Sequence, residues 1–112
     1  MGDDRSEILQ GTLDLMVLKT LDAMGPMHGY GIALRIEQVA ENALRVNQGT
    51  LYICLVRLLQ RKWLAATWGT SENNRRARFY AITATGKKLL AAERTEWDRM
   101  VGIMQAILAE QS

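Results

Sequence analysis

Few residues in this chain are equipped for covalent or metal chemistry. Its 112 residues include one histidine, His28, and one cysteine, Cys54. A nucleophile needs a base within hydrogen-bond reach, and a metal site needs several His, Cys, Asp or Glu at ligand spacing. Neither pattern is present, and no glycine-rich phosphate loop appears. His28 precedes a helical stretch and reads as a cap or turn residue. One cysteine excludes an internal disulfide framework and fits a reducing compartment. The sequence therefore argues against an enzyme and implies no cofactor and no metal. What remains is the chemistry of lysine and arginine, which is the neutralisation of anions.

That charge is unevenly placed. The formal net charge is +2, yet residues 1–44 carry three Lys/Arg against seven Asp/Glu, a net of −4. Residues 45–88 carry nine against Glu72 alone, a net of +8, and residues 89–112 carry two against four, a net of −2. A basic middle between acidic flanks suits a polyanion-binding surface, with the flanks kept off the polyanion. A solvated basic face is the plainer alternative. The excess coincides with one helix and one ribbon, which favours nucleic acid.

The helix is NQGTLYICLVRLLQRK, Asn47 to Lys62. At 100° per residue Leu51, Leu55 and Leu58 share a narrow stripe, with Cys54 and Leu59 at its margins. Gly49, Tyr52, Ile53, Val56, Arg57 and Gln60 lie opposite. Asn47 is the expected N-cap, accepting from the amide of Gly49 or Thr50. Gly49 leaves the first turn bare, and an amide-rich helix start seats a phosphate oxygen well. Arg57 and Gln60 have the reach for bases or phosphates. Ile53 and Val56 are apolar on the same side. They suit thymine methyls in a major groove, or equally a neighbouring helix.

The ribbon follows at once. Trp63 to Gly69 and Ala77 to Ile82 read as strands, joined by the turn-forming Ser71-Glu72-Asn73-Asn74. Arg75, Arg76 and Arg78 sit at or just after the tip, where Asn and Arg can follow a backbone or enter a minor groove. A helix followed by a basic-tipped ribbon suggests a winged helix-turn-helix, in a fold mainly α with a small β-ribbon.

Upstream, Ile8 to Met24 reads as a helix, with Leu9, Leu13, Met16, Leu21 and Met24 on one stripe and Leu15 and Leu18 off it. That arc is wider than a surface helix needs, so burial on two sides is expected. Gly25-Pro26 ends it. A second helix is expected from Tyr30 to Glu41, with Ile32, Ile36 and Val39 inward and Arg35, Glu37, Gln38 and Glu41 outward. Leu44-Arg45-Val46 is expected as a brief strand beside the ribbon. Thr83 should cap the last helix, Lys87 to about Glu110. There Leu90, Trp97 and Met104 repeat every seven residues, with Met100 and Ile107 at the second heptad position and Val101 and Leu108 beside them. The stripe suits a homodimer built from both chain ends, or a helix folded back on its own domain. The expected division is a DNA-binding domain at 8–82 and a C-terminal dimerisation helix at 83–112. No apolar run approaches a membrane span and no signal-peptide layout is seen, so a cytoplasmic location is expected.

LQGTLDLMVLKTL, GPMHGYGIALRIEQ, VNQGTLYICLVRLLQRKWL and SENNRRARFYAITATGKKLL together resemble the PadR family of bacterial transcriptional regulators, over about Leu9 to Trp97. The HGY at 28–30, the GTLY at 49–52 and the T-x-x-G at 83–86 carry the resemblance jointly. The short C-terminal part is similar to the subgroup with a single terminal dimerisation helix. The resemblance implies a dimeric winged-helix repressor whose last helix swaps onto the partner's first. It implies that Gln48, Gly49, Thr50 and Tyr52 approach double-stranded DNA and that Asn73, Asn74, Arg75 and Arg76 touch the backbone. It also implies a planar aromatic effector on a last-helix tryptophan, the place held here by Trp97; plain interface packing is the other reading. One departure is Ile53, where the family commonly has proline; it leaves the helix straighter and presents a larger apolar group.

The expected DNA-contacting set is thus Gln48, Gly49, Thr50, Tyr52, Ile53, Val56, Arg57, Gln60, Arg61 and Asn73 to Arg76. Trp97 and Met100 are the effector candidates. Leu9, Leu13, Met16, Leu90, Trp97, Met100, Val101, Met104, Ile107 and Leu108 are the dimer candidates. The rival from another class is a winged-helix protein-interaction module that docks a protein through Ile53 and Val56.

Overall fold

A computed structural model describes residues 3–110, with side chains from residue 12 onward. The side chain of Leu9, expected at a dimer contact, lies outside the described residues. Four helices and a three-stranded antiparallel sheet follow in the order α1 (Asp3–Met24), β1 (Met27–His28), α2 (Gly29–Val39), α3 (Gln48–Gln60), β2 (Leu64–Thr70), β3 (Arg76–Ile82) and α4 (Ala84–Ala109). The sheet order is β1-β3-β2. This is the winged-helix arrangement expected from the sequence.

Helix α1 is the hub, touching α2, α3, β3 and α4. Its buried side chains are Leu13, Val17, Leu18 and Leu21. The buried arc is therefore rotated from the expected stripe: Leu18 is sealed, while Met24 is half exposed. Contact from several sides moves the arc in a way that a one-sided wheel does not capture. The helix stops where Gly25 takes φ +86°, and its N–H bonds to the Leu21 carbonyl at 3.0 Å. Glycine suits that left-handed position, and Pro26 cannot continue a helix.

His28 caps α2, its Nδ1 accepting from the Gly31 N–H at 3.1 Å. The imidazole also meets Phe79 edge-on, with centroids 5.5 Å apart. Ile32, Ala33 and Ile36 are buried as their spacing requires, but Val39 is 67% exposed rather than inward. Val39 is the last residue of α2, which ends two residues earlier than expected, so the core is already behind it. Glu41 adopts φ 53°, outside the helix.

The third strand is Met27–His28, not Leu44–Val46. Met27 pairs with Tyr80 and His28 with Phe79, filling the outer edge of β3. The Val46 N–H is taken instead by the Glu37 carboxylate at 2.8 Å. Glu37, expected outward, thus ties the end of α2 to the chain entering α3. The β2–β3 ribbon keeps register from Leu64 opposite Ile82 to Thr70 opposite Arg76.

At the base of the ribbon, Thr83 caps α4 and joins it to the end of α3. Its Oγ1 accepts from the Gly86 N–H at 3.0 Å, and donates to the Lys62 carbonyl at 2.8 Å, with the Trp63 carbonyl 3.1 Å away. A Cβ on Gly86 would stand 2.2 Å from the Trp63 carbonyl oxygen, so only glycine fits. The T-x-x-G motif is therefore a clamp between wing and last helix. Beyond Leu90 the side chains of α4 are exposed to the end of the helix, except the half-buried Val101.

Candidate nucleic-acid interface

The core holds α3 by Leu51, Cys54, Leu55 and Leu58, all buried, as the stripe requires. Asn47 Oδ1 accepts from the Thr50 N–H at 3.0 Å. The first i→i−4 bond runs from Leu51 N–H to the Asn47 carbonyl at 2.9 Å, so the amides of Gln48 and Gly49 precede the helical ladder. Gln48 and Gly49 are exposed and Thr50 is half-buried. Such a helix start presents donors and the positive end of the helix dipole to an anion.

Along the outward side, Tyr52 is 60% and Ile53 55% exposed, Val56 is half-buried, and Gln60 and Arg61 are exposed. Arg57 departs from expectation. Its guanidinium pairs with the Asp14 carboxylate on α1, and both side chains are only about a quarter exposed (25% and 23%). Asp14 Oδ1 also accepts from the Cys54 thiol at 3.0 Å. Arg57 thus fastens α3 to α1 and does not stand on the open face. Burial, followed by the bond to Asp14, pushes the Cys54 thiol far above its usual range. A thiol so held is a poor nucleophile, which agrees with its reading as a structural residue.

The wing supplies free charge. Asn73, Asn74, Arg75 and Arg76 are all exposed. The turn closes with Ser71 N–H on the Arg75 carbonyl at 2.8 Å and Asn74 N–H on the Ser71 carbonyl at 2.9 Å. Asn74 takes φ 59°, a conformation asparagine tolerates better than most residues. Arg76 lies over the Trp68 ring at 4.7 Å, and Arg61 over Trp63 at 5.1 Å. Each guanidinium is thus held over an aromatic face by a cation–π contact.

Between helix start and ribbon runs an open groove of about 300 Å³, lined by Tyr30, Gln48, Tyr52, Arg78 and Tyr80 among others. Burial raises the Tyr80 phenol pKa, Arg78 partly opposing it, so the phenol stays neutral. The structure brings Tyr30 and Arg78 to this groove; the expected contact set held neither, although Arg78 was placed just after the wing tip. The signals were present in the HGY segment and the arginine run, but neither pattern says which way a side chain faces. Exposed Arg45 was missed likewise; it sits with Asn47 and Thr50 along a second groove of about 300 Å³.

Residues 17–92 match the PadR-like transcriptional regulator family. The chain belongs to that family. A protein of Lysinibacillus sphaericus known as protein X is 27% identical over 104 residues, spanning 93% of this chain and 94% of that one. A transcriptional regulator from Clostridium thermocellum shares the fold with a TM-score of 0.80 at 24% identity, over 89% of this chain and 93% of that one. Bacillus subtilis PadR, solved in complex with operator DNA, superposes with a TM-score of 0.64 at 18% identity, over 72% of this chain and 45% of its own. The PadR-like match runs from the middle of α1 through the wing to the start of α4.

The remaining candidates lie at the back of the PadR-like fold. Leu13 and Leu90, expected at a dimer contact, are buried in the core of their own chain, and Met16 packs against that core half-buried. Trp97, Met100, Met104, Ile107 and Leu108 are exposed on α4. Trp97 borders a cleft of about 580 Å³ between α1 and α4, lined also by Leu15, Asp22, Leu90 and Arg94. Met100 is not part of that lining. Among the described residues, no helix is long and apolar enough to cross a membrane.

Proposed function

We propose that this PadR-like protein is a homodimeric repressor that binds double-stranded DNA in the cytoplasm. The observation that carries the reading is the pairing of a bare, capped helix start with an exposed basic wing. Gln48, Gly49, Thr50, Tyr52 and Ile53 approach the major groove, Gln60 and Arg61 flank it, and Asn73 to Arg76 follow the backbone. Two copies would place α3 in successive major grooves about 34 Å apart. The second copy is held through the exposed stripe of α4, namely Trp97, Met100, Met104, Ile107 and Leu108. The operator complex of Bacillus subtilis PadR supports the same use of the fold.

In this reading a planar aromatic effector enters beside Trp97 and releases the operator. It does so only by preferring one arrangement of the two wings over the other. Titration of planar aromatics against tryptophan fluorescence, with Trp97→Phe as control, tests the site. Quenching that disappears in the variant supports it, and no quenching by any of them counts against it.

The binding test is fluorescence anisotropy with a duplex from the chain's own upstream region, alongside sedimentation. If the dimer neutralises on the order of six phosphates, affinity falls roughly 10³-fold between 50 and 200 mM salt. A single sedimenting chain with salt-insensitive binding would overturn the proposal. The exposed Ile53 favours one rival, a protein-interaction module docking through Ile53 and Val56; that module would leave the duplex unbound at any salt.

A further inference from the structure

The outward side of α3 carries no free cation along the helix. Between Gln48 and Gln60 the only basic residue is Arg57, and Asp14 holds it against α1. Arginine is the side chain that reads guanine bidentately in a major groove, so that mode of readout is closed to the middle of this helix. At the centre of the outward side stands Ile53 instead, 55% exposed and outside the hydrophobic core. Gly49 and Gln60 lie on either side of it, one turn before and two turns after. A β-branched side chain left in water, on a helix whose other aliphatic side chains are buried or half-buried, has apolar surface to lose on docking. In a major groove the apolar group available to cover it is the 5-methyl of thymine.

We infer that α3 reads thymine through its 5-methyl group, with Ile53 as the contacting side chain, and does not read guanine through arginine. The inference rests on the proposal that this face enters the major groove. Tyr52, 60% exposed beside Ile53, walls the contact on one side and helps exclude water from it. Gly49, without a side chain, lets the backbone approach closely enough for Ile53 to reach the groove floor. Asp14 therefore acts as a specificity-positioning residue: it withdraws the competing guanidinium.

The test begins with selection of tight-binding duplexes from a randomised library by the full chain. In the selected duplex each thymine is replaced in turn by deoxyuridine, which deletes the methyl and keeps the pairing. One methyl removed from water corresponds to about fourfold in affinity, and two half-sites together to roughly 15-fold. The expected result is a loss of that size at one thymine per half-site. The same replacement should cost almost nothing in Ile53→Ala, a variant of an exposed helical residue that keeps the fold. Equal affinity for thymine and deoxyuridine at every position overturns the inference while leaving DNA binding intact. A methyl effect that persists in Ile53→Ala overturns the role of Ile53. Recovery of no sequence from the library sinks the DNA-binding proposal, and this inference with it.

Discussion

Helices α3 and α4 both carry exposed apolar side chains, and they carry them in opposite settings. On α3, Tyr52 and Ile53 stand on a short helix fixed from behind by four buried side chains, capped by Asn47 and tied to α1 through Arg57. On α4, Trp97, Met100, Ile103, Met104, Ile107 and Leu108 follow one another along a helix whose last buried residue is Leu90. The first surface is small, rigid and bordered by polar groups. The second is long, and beyond Leu90 its described side chains are exposed except for the half-buried Val101. Residues 91–109 would extend about 28 Å at 1.5 Å per residue. An unsupported helix of that length is marginal in water unless its apolar face is covered. The chain thus completes its front by itself, and in the proposed dimer a second copy covers its rear.

The sharpest way to break this contrast is to charge the rear. Met104→Glu puts a carboxylate on the stripe, and in a two-fold interface each copy meets the other's charge. Sedimentation should shift from dimer to single chain, and duplex affinity should fall about 100-fold or more as the two half-sites are uncoupled. Far-UV circular dichroism should lose helix from the second half of α4. A dimer of unchanged affinity would place the partner surface elsewhere.

Next comes the joint between the two regions. Gly86→Ala sets a methyl against the Trp63 carbonyl, where the distance would be 2.2 Å. The ribbon base or the first turn of α4 must then move, at a cost of about 3 kcal/mol or more. Thermal unfolding at fixed protein concentration checks this. Loss of wing placement should weaken duplex binding even below the melting range.

Smaller is the effect of cutting the tie behind α3. Asp14→Asn removes a charge from a partly buried pair and weakens the hold on the Cys54 thiol, costing about 1–3 kcal/mol of stability. It also frees the Arg57 guanidinium. Selection from a randomised library should then recover more guanine in the half-site than the unaltered chain does. Unchanged preference would mean that Arg57 reaches no base even when released.

These tests also separate what was legible in the sequence from what was not. The stripe of Leu51, Leu55 and Leu58, the Asn47 cap and the Thr83 cap were legible because period and capping are local properties. The β1 strand was not, because two residues carry no alternation; Met27 and His28 become a strand only because β3 offers an open edge. The helical wheel puts Arg57 on the outward side, yet Asp14, 43 positions earlier, draws it back against α1, and no local period records that partner. Val39 matches the inward period of α2 yet is exposed, since a wheel does not record where the core stops. Leu13 and Leu90 matched a dimer stripe for the converse reason: apolar spacing marks burial without saying against which chain.

The smallest effect lies at the far end of α3. Lys62 adopts φ 64°, its N–H bonds to the Leu59 carbonyl at 2.9 Å, and Trp63 N–H bonds to that of Leu58 at 3.0 Å. That is the pattern of a helix stop whose left-handed position is usually glycine. A lysine there carries a conformational cost of roughly 1–2 kcal/mol, part of which glycine returns through its greater freedom when unfolded. Lys62→Gly should therefore stabilise the fold by about 0.5–1 kcal/mol, read as a higher denaturant midpoint at an unchanged slope. The Lys62 carbonyl that receives the Thr83 hydroxyl is backbone and survives the change. If Lys62 contributes a phosphate contact, the stabler variant should bind duplex more weakly, with the salt slope reduced by about one per half-site. A variant both stabler and equally tight would remove Lys62 from the interface and leave Arg61 as the basic contact at that end of the helix.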